Sequence, residues 1–257
     1  MPNLYRWSDY LQLFKLARGR LISPENYYRF EKFQGELLVR YLKHFSIELQ
    51  GKLLLDLGCG QGGFLVAFKE AGARITGLDL NVTTMFEDRP PKVGADALHV
   101  PFESSCYDVV VCTNLIEHLP EPELLLEEAL RVLKPGGMLY LSFPPFYSPN
   151  GGHNLFTKYR FGERAAVWIF NQRHRRVNSN WTDEPYDIKI DSYEKAFGNW
   201  GLYPLTIKKA RRLISSRQVA ILDQSVKYLA LNLSKIPIVN EFLSWHVQFL
   251  VQKNHSA

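Results

Sequence analysis

The chain has 257 residues, 46% apolar and 22% charged, and 31 Lys and Arg against 26 Asp and Glu give it a formal charge of +5. That length suits one substantial domain with an elaboration, and the composition is that of an ordinary globular protein rather than a disordered, collagenous or membrane-embedded one. Three cysteines without metal-ligand spacing, no charged n-region leading into an apolar run and no bilayer-length apolar stretch give the expectation of a cytoplasmic protein with reduced thiols and no membrane span.

Residues 1–50 read as an N-terminal helical extension. Leu4, Tyr5, Trp7, Tyr10, Leu11, Leu13, Phe14 and Leu16 are too apolar for a solvated tail, so a helix or two packed on the core is expected. Ser23 then Pro24 are a cap and a first helical residue. Tyr27, Phe30, Leu37, Leu38, Tyr41, Leu42 and Phe45 follow at helical spacing with one face inward.

Residues 51–145 alternate between strand and helix signals. A buried strand over 52–56 ends in Asp56, glycines follow at Gly58, Gly60 and Gly62, and a helix starts near Phe64 that Gly72 can close. A second strand over 74–79 ends in Asp79, and Pro90 and Pro91 limit the helix after it. A brief third strand ends near Ala95, leaving Asp96 and Ala97 at its carboxyl edge. The fourth, over 107–113, opens into Asn114-Leu-Ile-Glu-His-Leu119. Pro122 starts a helix through Leu133, Lys134-Pro-Gly-Gly137 is a turn, and 138–143 is the fifth strand. Such alternation specifies a doubly wound, Rossmann-like α/β sheet.

Residues 146–190 change character. They are rich in Asn, Gly and Tyr, with a short apolar helix near 165–170 and the basic run Arg173-His-Arg-Arg176, and they read as an inserted cap. Residues 191–257 complete the sheet: Asp191 and Glu194 resemble a capping box for a helix to Trp200, 202–208 is strand-like, 219–233 helical and 242–251 strand-like. The whole is expected to form a single domain.

Chemistry concentrates at the glycine turn. Glycines between a buried strand and a helix start accept positive φ and let a ligand approach backbone amides, so the turn predicts a nucleotide-derived cofactor. Asp79 lies 21 residues after Gly58, about the offset at which such folds place a carboxylate against ribose hydroxyls. Gly58-x-Gly60-x-x-Gly63 also fits a dinucleotide fingerprint, which keeps a nicotinamide-dependent oxidoreductase open as an alternative.

Five motifs in order decide the reading. Asp56 to Gly62, Asp79, Asp96-Ala97 with Pro101-Phe102, the 107–111 strand leading to Glu117-His118-Leu119, and Leu133-Lys-Pro-Gly-Gly137 together resemble the class I S-adenosylmethionine-dependent methyltransferases, over about residues 50–145. The resemblance implies a mostly parallel sheet with an antiparallel late strand, S-adenosyl-L-methionine as cofactor, and a cofactor site of Asp56, Gly58, Gly60, Gly62, Asp79, Leu80, Asp96, Ala97 and Asn114. Within that family some members bind a divalent ion through Glu-x-x-Glu-His after the fourth strand. Here Asn114 replaces the first carboxylate, and no metal is expected.

Methyl transfer needs alignment above all, worth about 7–11 kcal/mol, and a hydroxyl acceptor also needs a base, worth about 10²–10⁴-fold. The candidate bases are His118, after the fourth strand, and His153, in the loop after the fifth. An inserted cap suits a small-molecule or glycan-precursor acceptor, methylated at oxygen. The basic runs allow an anionic acceptor, and nucleic acid ranks last because no recognised RNA module is present. A cofactor-binding module without turnover is the other alternative. Nothing in the sequence sets the oligomeric state.

Overall fold

The structure is a computed structural model and describes residues 4–20, 22–82, 90, 92–148, 168, 205–227 and 246–255. Its elements in chain order are α1 (Trp7–Gly19), α2 (Pro24–His44), β1 (Leu53–Leu57), α3 (Gly63–Glu70), β2 (Arg74–Asp79), β3 (Lys92–Gly94), β4 (Tyr107–Thr113), a 3₁₀ turn (Ile116–His118), α4 (Pro122–Val132), β5 (Leu133–Phe143), α5 (Ile207–Ser215), β6 (Val219–Val226) and β7 (Val247–Lys253).

The strands form one seven-stranded sheet in the order β3-β2-β1-β4-β5-β7-β6. β1 to β5 pair in parallel, whereas β7 is antiparallel to both β5 and β6, so β7 alone is reversed. The doubly wound fold with its antiparallel late strand is as expected. Strand order reverses between β1 and β4, the place where such sheets open a crevice at their carboxyl ends.

Both faces of the central strands are covered, which is why they read as continuous apolar runs. Leu55, Leu57, Val110, Cys112, Leu139 and Leu141 pack on one face against Leu126 and Ala129 of α4 and Ala210 and Ile214 of α5. Leu54, Val109, Val111, Tyr140 and Leu250 pack on the other against Leu38, Tyr41 and Leu42 of α2 and Phe64 and Phe68 of α3. Each fully buried Leu or Phe contributes about 1.5–3 kcal/mol.

α2 starts as the sequence indicates: Pro24 is at its first turn and Ser23 Oγ accepts from the Asn26 N–H at 3.2 Å. It crosses α3 closely enough that only glycine fits at two positions. A Cβ at Gly35 would lie 2.7 Å from Ala67 Cβ, and one at Gly63 2.5 Å from Glu31 Cβ and 2.7 Å from the Lys32 backbone nitrogen.

Four expectations are corrected. α1 forms but buries none of its residues in the core; it lies on α2, with Arg40 Nη2 2.9 Å from Asp9 Oδ2. Residues 219–226 are a strand, not a helix, because pairing with β7 along their whole length outweighs an apolar pattern that fits either period. Of the strand expected over 202–208, residues 205–206 are not in a strand and 207–208 open the helix over 207–215, in which Ile207, Ala210 and Ile214 face inward and Thr206 Oγ1 accepts from the Lys209 N–H at 3.0 Å; residues 202–204 lie outside the described residues. Lys134–Gly137 belongs to β5 as an irregularity, where Tyr107 pairs with Leu133 but Val109 with Met138. The expected helices at 165–170 and 191–200 lie outside the described residues, apart from Trp168, which is helical.

Candidate active site at the carboxyl edge of the sheet

Asp56 ends the buried part of β1 and Gly58, Gly60 and Gly62 turn the chain into α3, all three with φ between +50° and +84°. The turn is tied to the next strand: Gly58 N–H donates to Leu78 O at 2.8 Å, and Gly60 N–H to Asp79 Oδ2 at 2.9 Å. Asp79 Oδ1 accepts from the Asn81 N–H at 2.9 Å, and Lys92 Nζ donates to Gly60 O. A carboxylate has about four acceptor positions, so Asp79 retains capacity for two hydroxyls. Leu80 stands exposed just beyond it.

Three carboxylates converge on this turn. Asp56 is 1% exposed, and neither of its carboxyl oxygens has a hydrogen-bond partner among the described residues. Burial pushes its carboxyl well above the usual aspartate range, with Glu31 and then Asp79 adding to the shift. Glu31 comes from α2, is buried, and accepts from the Gly63 N–H through Oε2 at 3.3 Å. Sequence reading passed over Glu31, although the signal was there: an acid at position i−7 from Leu38 on an otherwise apolar inward face. Acids gathered in this way favour a cationic ligand, whose charge draws the raised carboxyl back towards its ionised form, and disfavour a pyrophosphate.

The next loop is built for shape. Asp96 Oδ1 accepts from the Leu98 N–H at 2.9 Å, and Ala97 is buried. Glu128 and Arg131 of α4 hold the segment behind: Glu128 Oε2 accepts from the Val100 N–H at 2.7 Å, and Arg131 donates to Phe102 O at 2.7 Å and to Val100 O at 2.8 Å. Beyond β4, Asn114 takes φ +55° and its N–H donates to Ser142 O at 2.9 Å, while Leu115 packs beneath Gly58. The structure therefore brings Asp56, Gly58, Gly60, Gly62, Asp79 and Asn114 to the carboxyl ends of adjacent strands, with Leu80, Asp96 and Ala97 following β2 and β3.

His118 lies in the 3₁₀ turn, Nε2 3.9 Å from Glu117 Oε1. His153 lies outside the described residues. The structure adds two ionisable groups that sequence reading missed, Lys227 and His246, beside Glu117 of the motif after the fourth strand. Glu117 and Lys227 are buried polar side chains; burial pushes the carboxyl up and the ammonium down, and each opposes the other's shift. Lys227 N–H donates to His246 O at 2.9 Å, and its Nζ sits 5.7 Å from the Phe64 ring centroid. His246 Nε2 is buried without a hydrogen-bond partner, and burial followed by the Lys227 charge holds the ring neutral. Val226 pairs with Val247 and Phe143 with Val247, so Lys227 and His246 stand on the same edge as the glycine turn. Reading 219–233 as a helix hid this placement.

Among the described residues no group of three or more His, Cys, Asp or Glu could hold a metal, and no helix is long and apolar enough to cross a membrane. An open depression of about 380 Å³ lies at the opposite edge, lined by Lys52, Asp108, Lys134, Gly136 and His255, and shares no residue with this site.

Comparison with known proteins agrees with this geometry. A family profile described as a methyltransferase domain matches residues 55–141. An uncharacterised methyltransferase of Mycobacterium leprae is 30% identical over 237 residues, spanning 82% of this chain and 88% of its own. Among solved structures, an S-adenosylmethionine-dependent methyltransferase from Mesorhizobium loti matches with a TM-score of 0.54 at 16% identity, over 85% of this chain and 98% of its own. The magnesium protoporphyrin IX methyltransferase of Synechocystis PCC 6803, solved with bound SAH, matches with a TM-score of 0.52 at 13% identity, over 87% of this chain and 83% of its own. At such identities the two structures speak to the fold alone.

Proposed function

The chain belongs to the class I S-adenosylmethionine-dependent methyltransferases, and on that footing we propose that it methylates an oxygen of a small-molecule or glycan-precursor acceptor. The observation that carries the cofactor half of this reading is the convergence of Glu31, Asp56 and Asp79 on the glycine turn. These residues fit the cofactor: its ammonium and sulfonium are cationic, its ribose offers two hydroxyls, and Asp56 presents two buried oxygens with no partner among the described residues. The same cluster disfavours the pyrophosphate of a nicotinamide dinucleotide, against the oxidoreductase alternative.

Asp56 and Glu31 would hold the amino acid end and the positive charge, with Asp79 holding the ribose through charge-assisted bonds about twice as strong as neutral ones. Leu80 and Ala97 would supply apolar contact for the adenine beside Asp96. The bound cofactor supplies an activated methyl group on a sulfonium.

The chain's own remaining task is to orient the acceptor and take its proton. Glu117, His118, Lys227 and His246 are available for it, with His153 from the sequence. A neutral imidazole at His246 and an ammonium biased towards its neutral amine at Lys227 are proton acceptors near neutral pH, which supports an acceptor that ionises as it reacts. The aromatic and glycine-rich composition of 146–190 supports a capped, small acceptor.

Calorimetric titration with S-adenosylmethionine, S-adenosylhomocysteine and NADH tests the cofactor: the first two should bind, and binding of NADH alone overturns the reading. Turnover of methyl-labelled cofactor across a panel of hydroxyl compounds tests the reaction, and cofactor binding without turnover on any of them would favour the silent-module alternative. With an acceptor in hand, His118→Ala, His153→Ala and His246→Asn assign the base by which one removes the acidic limb of the pH profile, where a base is lost by protonation.

A further inference from the structure

The first helix exposes what a helix of this composition ordinarily buries. Trp7 is 77% exposed, Leu11 58% and Phe14 63%, and Ile22 just past the helix is 64% exposed. At 3.6 residues per turn Phe14, Trp7, Arg18, Leu11 and Lys15 fall within about 100° of one another. Asp9, Leu13 and Leu16 occupy the opposite, α2-facing side and are half-buried. The apolar stripe is thus the outward one, and it is contiguous.

Charge decides what such a stripe would meet. Between Leu4 and Pro24 the basic residues are Arg6, Lys15, Arg18 and Arg20, and the sole acid is Asp9, whose carboxylate is already engaged by Arg40 and by the Arg6 N–H. Arg6, Lys15 and Arg18 are all exposed; Lys15 lies at the edge of the stripe, Arg18 within it with its guanidinium 5.7 Å from the Phe14 ring, and Arg6 just before the helix. An exposed Trp, Leu and Phe flanked by unopposed cations is the pattern of a helix lying in the headgroup layer, its apolar face in the acyl boundary and its cations on anionic lipid.

We propose that α1 is a peripheral docking element for an anionic lipid surface. The placement also makes sense of α2. Asn26 Nδ2 donates to Gly19 O at 3.3 Å, so the end of α1 abuts the start of α2, and Glu31 lies about 10 Å further along α2 at 1.5 Å per residue. Docking through α1 would bring the glycine turn close to the surface.

The test is flotation of the full-length protein with vesicles of phosphatidylcholine alone and of phosphatidylcholine mixed with phosphatidylglycerol, at low and high salt. Association is expected with the anionic vesicles only, weakened by salt. It should be lost on combining Trp7→Ser, Leu11→Ser and Phe14→Ser, and should fall about fivefold for each of Lys15→Gln and Arg18→Gln. These outward residues lie away from the glycine turn, so S-adenosylmethionine affinity should stay unchanged in every variant.

Equal association of wild type and triple variant overturns the proposal, as does equal association with neutral and anionic vesicles. A wild-type dimer that the triple variant converts to monomer assigns the face to a second copy instead. A large loss of melting temperature from Trp7→Ser alone assigns it to packing within the chain.

Discussion

Replacing Asp56 by Asn should make the cofactor-free protein more stable while weakening its cofactor affinity. Asp56 is buried with no partner for either oxygen, and its carboxyl is pushed well above the usual range by burial and by the charges of Glu31 and Asp79. Because the carboxyl is raised in the fold relative to the unfolded chain, the native state holds that proton more tightly, at a cost in stability as pH rises. The sign follows from proton counts: between the two values the native state binds more protons, so stability falls as pH rises through that window. Asn removes that slope, so its stability relative to wild type should rise from acid to neutral pH. Urea unfolding of cofactor-free protein at pH 4.5 and 7.5 measures the difference, and calorimetry should show about 10–100-fold weaker S-adenosylmethionine binding. A variant less stable than wild type at both pH values would refute the reasoning, because it would mean that Asp56 is satisfied in the native state.

Glu31→Gln keeps an acceptor for the Gly63 N–H but removes a charge, so it should weaken S-adenosylmethionine several-fold more than S-adenosylhomocysteine, which lacks the sulfonium; equal losses by calorimetry would deny Glu31 a role in charge recognition. Gly63→Ala places a Cβ 2.5 Å from Glu31 Cβ and 2.7 Å from backbone atoms of α2, so it should cost about 1–3 kcal/mol or more in urea unfolding, and an unchanged midpoint would show that α2 can shift freely. Lys227→Met removes the cation that opposes the burial shift on Glu117, whose carboxyl is already raised to about 8. The variant's Glu117 should therefore hold its proton to higher pH, and its stability should fall between pH 5 and 8.5 by up to about 1.4 kcal/mol per unit. Wild type should fall less over the upper part of that range, because the depressed Lys227 contributes the opposite slope above about 7; identical slopes would show the two groups uncoupled.

Those elements were legible whose local pattern and tertiary role agree. β1 and β4 are apolar runs buried on both faces, and the glycines after β1 and the acids near the ends of β1 and β2 sit where backbone geometry requires them. The late elements were not legible, for a physical reason. Val219, Ile221, Leu222 and Val226 satisfy a helical and a strand period alike, and only pairing with β7, more than twenty residues later in the chain, resolves the tie. Lys227 and His246 became site residues through that long-range pairing, so no local window could have found them. Glu31 is the intermediate case: its inward phase on α2 was readable, but its partner Gly63 lies across a helix crossing that only the fold creates.

Seen this way, α2 does more than cover one face of the sheet. Its first half delivers Glu31 to the glycine turn, and its second half delivers Tyr41 to the late strands, where the hydroxyl donates to Asp223 Oδ2 at 2.6 Å. Ser225 Oγ donates to the same oxygen at 2.6 Å, Gln248 Nε2 donates to Ser225 Oγ at 2.9 Å, and Tyr140 donates to Gln248 Oε1 at 3.0 Å. This chain crosses from α2 through β6 and β7 to β5, and its members hold one another in fixed orientations beneath the helix. A connected, partly buried network resists sliding, because breaking one bond leaves its partner unsatisfied. α2 thereby ties the acids at the turn to the late strands that carry Lys227 and His246, so the two halves of the carboxyl edge are held through one helix.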